Sequence, residues 1–184
     1  MADRAPDGTT PFPPKDMSRR EVVTSAATIA LAGAAAPALA QTQTDRRTQM
    51  PDNVRFLNPD TMAKPPGYTH VVEVTGPGRT VYFAGQLGLD RSGKLVEGGF
   101  REQTVQAFEN LKAALASVGG GFEHVVKLNN YLVDIKTNIP LLRDVRNRYI
   151  NTSQPPASTT VGVPQLAREG ALFEVEAVAI LPPK

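Results

Sequence analysis

The residues best suited to chemistry are few. Glu174 and Glu176 alternate with Phe173, Val175, Ala177, Ala179 and Leu181 near the end of the chain. Successive side chains of a strand point to opposite faces, so the two carboxylates emerge side by side and the apolar set faces the other way. Paired carboxylates can move protons in acid–base catalysis. They can equally be a solvated sheet face or one side of an ion pair, because exposed glutamate is the norm. Arg143, Arg146 and Arg148 share one predicted helix and read first as its solvated face. The chain has no cysteine, which removes thiolate nucleophiles and thiolate metal ligands, and its two histidines, His70 and His124, are far from ligand spacing. No metal site is expected.

The elements that must position these groups follow from pattern and punctuation. Tyr68 to Thr75 and Thr80 to Gly85 are β-branched and aromatic runs separated by Gly76-Pro77-Gly78-Arg79, which predicts a hairpin. Leu87 to Asp90 and Lys94 to Val96, split by Arg91-Ser92-Gly93, predict a short irregular hairpin. Between Phe100 and Val118 the positions Thr104, Phe108, Leu111, Leu115 and Val118 recur at steps of four and three, the stripe of an amphipathic helix that Gly119-Gly120-Gly121 ends. Val125 to Val133 is a strand. A second helix is expected with Asn138 as N-cap, Pro140 in its first turn and an end near Ile150. After the break at Ser153-Gln154-Pro155-Pro156, Ser158 to Val163 and Leu172 to Leu181 are two further strands, giving the order ββ(β)αβαββ.

The N-terminal part reads as an address. Ser18-Arg19-Arg20-Glu21 stands directly before the Ala-rich stretch Ala26 to Ala36, and Ala38-Leu39-Ala40 offers a small-x-small cleavage pattern. This predicts a twin-arginine-type signal over residues 1–40 and a periplasmic or secreted protein. About 15 mildly apolar residues are too few to span a bilayer, so no membrane attachment is expected once the signal is removed. A flexible tail over 41–52 and one domain over 53–184 complete the expected organisation. Of 184 residues, 20 are Lys or Arg and 18 Asp or Glu, a net charge of +2. There is no basic stripe interleaved with aromatics, so nucleic acid is not an expected partner.

Several separated segments agree in order and spacing with a known family. Val81-Tyr82-Phe83-Ala84-Gly85-Gln86, the helix with Gln103-Thr104-Val105-Gln106-Ala107-Phe108-Glu109-Asn110-Leu111, the stretch Lys127 to Asp134, and Pro156-Ala157-Ser158-Thr159-Thr160-Val161 with Glu174-Val175-Glu176-Ala177 resemble the RidA (YjgF) family. The resemblance covers roughly Tyr68 to Leu181. It implies an α/β (α+β) chorismate-mutase-like fold, a mixed sheet with two helices packed on one face, assembled as a homotrimeric barrel with small-molecule ligands in clefts between subunits. It also implies hydrolysis of reactive enamines and imines to carbonyl compounds and ammonia, with no cofactor. The alternative within the family is a noncatalytic trimer that binds small metabolites or protects other proteins.

Carried over residue by residue, the resemblance assigns Tyr68, Ala84 and Gly85 to ligand contacts and Glu174 to the carboxylate beside the reacting water, with Thr160 and the Gly85 backbone placing that water. Glu176 is expected in an ion pair between subunits. The arginine that grips the substrate carboxylate in deaminating members is replaced by Ser158, and a frequent cysteine by Thr160. Serine cannot make arginine's bidentate pair, a loss of about 1.5–3 kcal/mol or tenfold and more in affinity. Arg146, on the helix that directs a polar side chain toward the cleft in the family, is the candidate to supply that charge from another direction.

Overall fold

The structure, a computed structural model, describes residues 53–184. The predicted signal over 1–40 and the tail over 41–52 lie outside the described residues. Six strands and two α-helices follow in order: β1 (Val54–Leu57), β2 (Val71–Val74), β3 (Arg79–Leu87), α1 (Phe100–Ser117), β4 (Val125–Leu132), α2 (Ile135–Arg146), β5 (Ala157–Gly162) and β6 (Phe173–Leu181). The main sheet has the order β3-β6-β4-β5 and is mixed: β6 runs antiparallel to both its neighbours, while β4 and β5 are parallel and joined through α2. A parallel pair requires such a crossover.

The sheet's covered face carries the core. Phe173, Val175, Ala177, Ala179 and Leu181 of β6 are all buried, as the alternation predicts, and Leu128 and Leu132 of β4 join them. The stripe of α1 packs on this layer through Thr104, Phe108, Leu111 and Leu115, all fully buried. Phe108 sits between the rings of Phe173 and Tyr149, at centroid distances of 5.8 and 5.0 Å. Buried Gln103 locks the start of α1 to the loop before β6, donating to the Gly170 carbonyl at 3.0 Å and accepting from the Leu172 amide at 2.8 Å. No helix among the described residues is long and apolar enough to cross a membrane.

Two expectations are corrected. The runs flanking Gly76 to Arg79 do not pair with each other. β2 instead pairs antiparallel with β1, a four-residue strand not anticipated from sequence, and β3 pairs along its length with β6. The reason is the partner on offer: β6 gives β3 a long apolar strand, and Gly78 lets the turn lie against it, since a Cβ there would stand 3.0 Å from Ile180. The second helix begins at Ile135, not after Asn138. Asp134 takes the left-handed conformation that turns the chain from β4 (φ 49°), a region Asp tolerates better than most residues. Asn138 then lies inside the first turn, its amide donating back to the Val133 carbonyl at 2.8 Å, and exposed Pro140 falls in the second turn. The irregular hairpin after β3 is present, with the Asp90 carboxylate accepting from the Ser92 and Lys94 amides at 2.8 and 3.0 Å.

Candidate functional site

Two groups of polar residues stand out, one on each side of the main sheet. The first borders a cavity of about 170 Å³ at the β5 edge, between that strand, α2 and the loop before β2, with Tyr68, Arg143, Arg146, Ser158 and Thr160 among its lining. Arg146 is only 7% exposed. Its guanidinium donates to the Asn147 side-chain oxygen at 3.1 and 3.4 Å, and no carboxylate among the described residues pairs with it. Burial first, and the neighbouring Arg143 charge second, hold it below the usual arginine range. The expectation of a solvated arginine face is thereby corrected for Arg146: α2 turns this side chain inward, while Arg143 and Arg148 remain exposed.

The loop that closes over Arg146 is fixed from both ends. Thr69 is buried, donates its hydroxyl to the Pro155 carbonyl at 2.5 Å and bridges to Ala157 at the start of β5. Gly67, at φ 109°, lies against the guanidinium so closely that a Cβ would stand 2.9 Å from Nη2. Tyr68 therefore reaches the cavity from a loop, not from the strand start that the sequence suggested, and its ring meets His70 edge-on at 5.3 Å.

Asn130 is the member of this group that sequence reasoning missed. It is fully buried in the middle of β4, and its amide nitrogen donates to Ser158 Oγ at 3.1 Å, the Thr159 carbonyl at 3.2 Å and Thr160 Oγ1 at 3.4 Å. Its side-chain oxygen has no partner. The signal was present: Leu128, Asn130 and Leu132 share one face at period two, so an amide stands in an otherwise apolar series.

The second group lies on the open face of the sheet. Glu174 and Glu176 are half-buried there, beside Lys127, Asn129 and Tyr131 of β4. Glu176 Oε1 accepts from Asn129 at 2.7 Å and from the Tyr131 hydroxyl at 3.0 Å, which raises the tyrosine above its ordinary range. Glu174 has no such hydrogen bonds among the described residues. Burial, and then the charge of Glu176, push its carboxyl above the usual range. Ala84 and Gly85 form the irregularity in the β3–β6 ladder between Phe83 and Gln86. Gly85 is where it is for a reason: a Cβ at that position would collide with the Glu174 carboxylate.

The candidate residues thus form two clusters and not one. Tyr68, Arg146, Ser158 and Thr160 share the cavity; Ala84, Gly85 and Glu174 lie together on the other side; and within one chain the sheet stands between Glu174 and Thr160. Among the described residues no three histidine, aspartate or glutamate side chains are grouped to hold a metal.

Known proteins repeat this arrangement of strands and helices. The family profile described as Endoribonuclease L-PSP matches residues 61–181. The chain belongs to this family, the RidA/YjgF family. A RutC family protein of Aquifex aeolicus is 39% identical over 114 residues, 61% of this chain and 87% of that protein. A human protein named 2-iminobutanoate/2-iminopropanoate deaminase is 37% identical over 126 residues, 66% of this chain and 88% of the relative. Among solved structures, a Rid-family protein of unknown function from Yersinia pestis shares 35% identity with a TM-score of 0.64, covering 70% of this chain and 99% of its own. The RidA of an Antarctic Psychrobacter shares 31% identity with a TM-score of 0.53, over 69% of this chain and 99% of that one. The mixed α+β architecture, with two helices on one face of a mixed sheet, is that of RidA-family structures.

Proposed function

We propose that the protein binds the imine or enamine of a small carboxylic acid in a cleft between copies of the chain and hydrolyses it to a keto acid and ammonia. The observation that carries this reading is Arg146, a buried guanidinium without a carboxylate partner on the wall of a cavity that also holds Tyr68, Ser158 and Thr160. A desolvated, unpaired cation is costly, and an incoming carboxylate offsets that cost with charge-assisted hydrogen bonds. With serine at position 158, Arg146 is the cation nearest to that task.

The proton-transfer group is Glu174, supplied by a neighbouring copy in a homotrimer, since the sheet separates the two clusters within one chain. An enamine first takes a proton at carbon to become the iminium. The Glu174 carboxylate takes a proton from water as the water oxygen adds to the iminium carbon, and returns it to the nitrogen of the resulting carbinolamine; the C–N bond then breaks, ammonia leaves, and the hydroxyl gives its proton to the carboxylate and from there to solvent as the oxygen becomes the keto-acid carbonyl. Burial and Glu176 raise the Glu174 carboxyl toward the range in which it can both accept and return that proton. Names of relatives such as 2-iminobutanoate/2-iminopropanoate deaminase support this chemistry.

The test is a coupled assay in which an amino-acid oxidase generates the imine and keto-acid release is followed with and without the purified protein. Acceleration that is lost in both Glu174→Gln and Arg146→Gln is the expected result; no acceleration with any substrate contradicts it. Ser158 favours a second reading, a noncatalytic trimer that binds small carboxylates in the same cleft, for which binding persists without acceleration. Export to the periplasm or medium is part of the proposal, resting on Ser18-Arg19-Arg20 and the Ala-rich run. Replacing both arginines by lysine and fractionating the cells tests it, with retention in the cytoplasm as the expected outcome.

A further inference from the structure

The cavity holds more positive charge than one carboxylate needs. Arg143 and Arg146 lie three residues apart on α2, neighbours on one helix face, and both line it. Neither is paired with a carboxylate among the described residues: Asp144, between them in sequence, is engaged by Arg101 at 3.1 Å, and Glu109 by Tyr149 and Lys112 at 2.9 and 3.6 Å. No acidic residue among the described residues lines the cavity.

The remaining polar wall is also made of donors. Asn130 directs its amide N–H groups at the oxygens of Ser158 and Thr160, at 3.1 and 3.4 Å. A hydroxyl oxygen that accepts in this way keeps its own proton for donation. Asn130 also donates to the Thr159 carbonyl at 3.2 Å, and whichever hydroxyl receives its other N–H keeps its own proton free for an anion in the cavity. Two like charges beside one small space repel each other until an anion enters. Glu174 of a neighbouring copy faces the reacting water and the iminium nitrogen in the site proposed above, so both guanidinium groups are left for carboxylates.

We propose that this cavity selects a small dianion, a dicarboxylic imino or keto acid, with Arg146 holding the inner carboxylate and Arg143 the outer one at the mouth. The assignment rests on the reading of Arg146 given above and adds the class of substrate to it. Arg146 is the buried anchor for either class of acid, and Arg143, which is exposed, reads the second charge. The hydroxyl of Ser158 or Thr160 that accepts from Asn130 donates to the inner carboxylate.

Calorimetric titration of the assembled protein with 2-oxobutanoate, as monocarboxylate, and with 2-oxoglutarate and oxaloacetate, as dicarboxylates, tests it. The dicarboxylates are expected to bind at least tenfold more tightly. Arg143→Gln should bring them to within about twofold of 2-oxobutanoate, the dicarboxylates losing several-fold more affinity than the monocarboxylate, and Arg143→Lys should keep part of the preference. Equal affinities for the two classes in the unaltered protein, or an equal loss of both in Arg143→Gln, overturn the dianion assignment. If 2-oxobutanoate still binds and Arg146→Gln abolishes that binding, the role of Arg146 stands and only the dianion preference falls. If neither class binds, or Arg146→Gln changes nothing, both fall.

Discussion

The two faces of the main sheet are built on opposite terms. The covered face is apolar and closed by α1 and α2, and the buried guanidinium of Arg146 lies at the margin where α2 meets β5. The open face is polar, carries Glu174 and Glu176, and leaves Tyr82 79% exposed. On the first face a cation is desolvated without an acidic partner; on the second, two carboxylates crowd each other. Each arrangement is unfavourable by itself, and each would be relieved by the other's charge. The two clusters carry opposite charge and the sheet keeps them apart within one chain, which is why the proposed site draws on two copies.

Glu174→Gln should break the open-face half most severely. The amide cannot take a proton from water, so kcat is expected to fall about 10²–10⁴-fold with KM little changed, as steady-state kinetics would show. Gly85→Ala should come next: the added methyl collides with the Glu174 carboxylate and turns it aside, a misplacement expected to lower kcat on the order of tenfold or more at constant KM. On the covered face, Arg146→Gln should weaken 2-oxobutanoate binding tenfold or more by calorimetry. The same substitution should leave the melting temperature unchanged or raised, because it removes a buried, unpaired charge.

The smallest expected effect is on the pH dependence. In the proposed mechanism Glu174 works as a carboxylate, so the rate should be lost as pH falls through its raised pKa. Burial remains in Glu176→Gln, but the like charge is gone, which lowers the Glu174 pKa and moves the acidic limb of the pH–rate profile to lower pH. An unmoved limb would mean that the two carboxylates do not sense each other.

Much of this was legible in the sequence where one pattern governed. The stripe of α1 and the alternation of β6 are strong because each reports a single buried face, and the carboxylate pair on β6 follows directly from it. The pairing of β2 was not legible, since a Gly-Pro-Gly turn specifies a bend but not which strand lies beside which. The start of α2 was misplaced because Asn138 and Pro140 carry capping signals, and the left-handed turn at Asp134 leaves none. Burial of Arg146 could not be read from α2 alone; it depends on Gly67 and Thr69, far away in sequence, which draw a loop over the guanidinium. Asn130 left a readable trace, an amide at an inward position, but only its contacts with Ser158 and Thr160 give that trace a meaning.

The proposed site requires one chain's Arg146 to work with another chain's Glu174. Co-expression of Arg146→Gln and Glu174→Gln chains carrying different tags, followed by purification through both tags, isolates mixed oligomers. In a mixed trimer one interface of the three pairs an intact Arg146 with an intact Glu174, so at substrate concentrations below KM the imine-hydrolysis rate should recover to about a third of that of the unaltered protein, although each variant alone falls to a tenth or less. Mixed oligomers as inactive as the two parents would contradict the account.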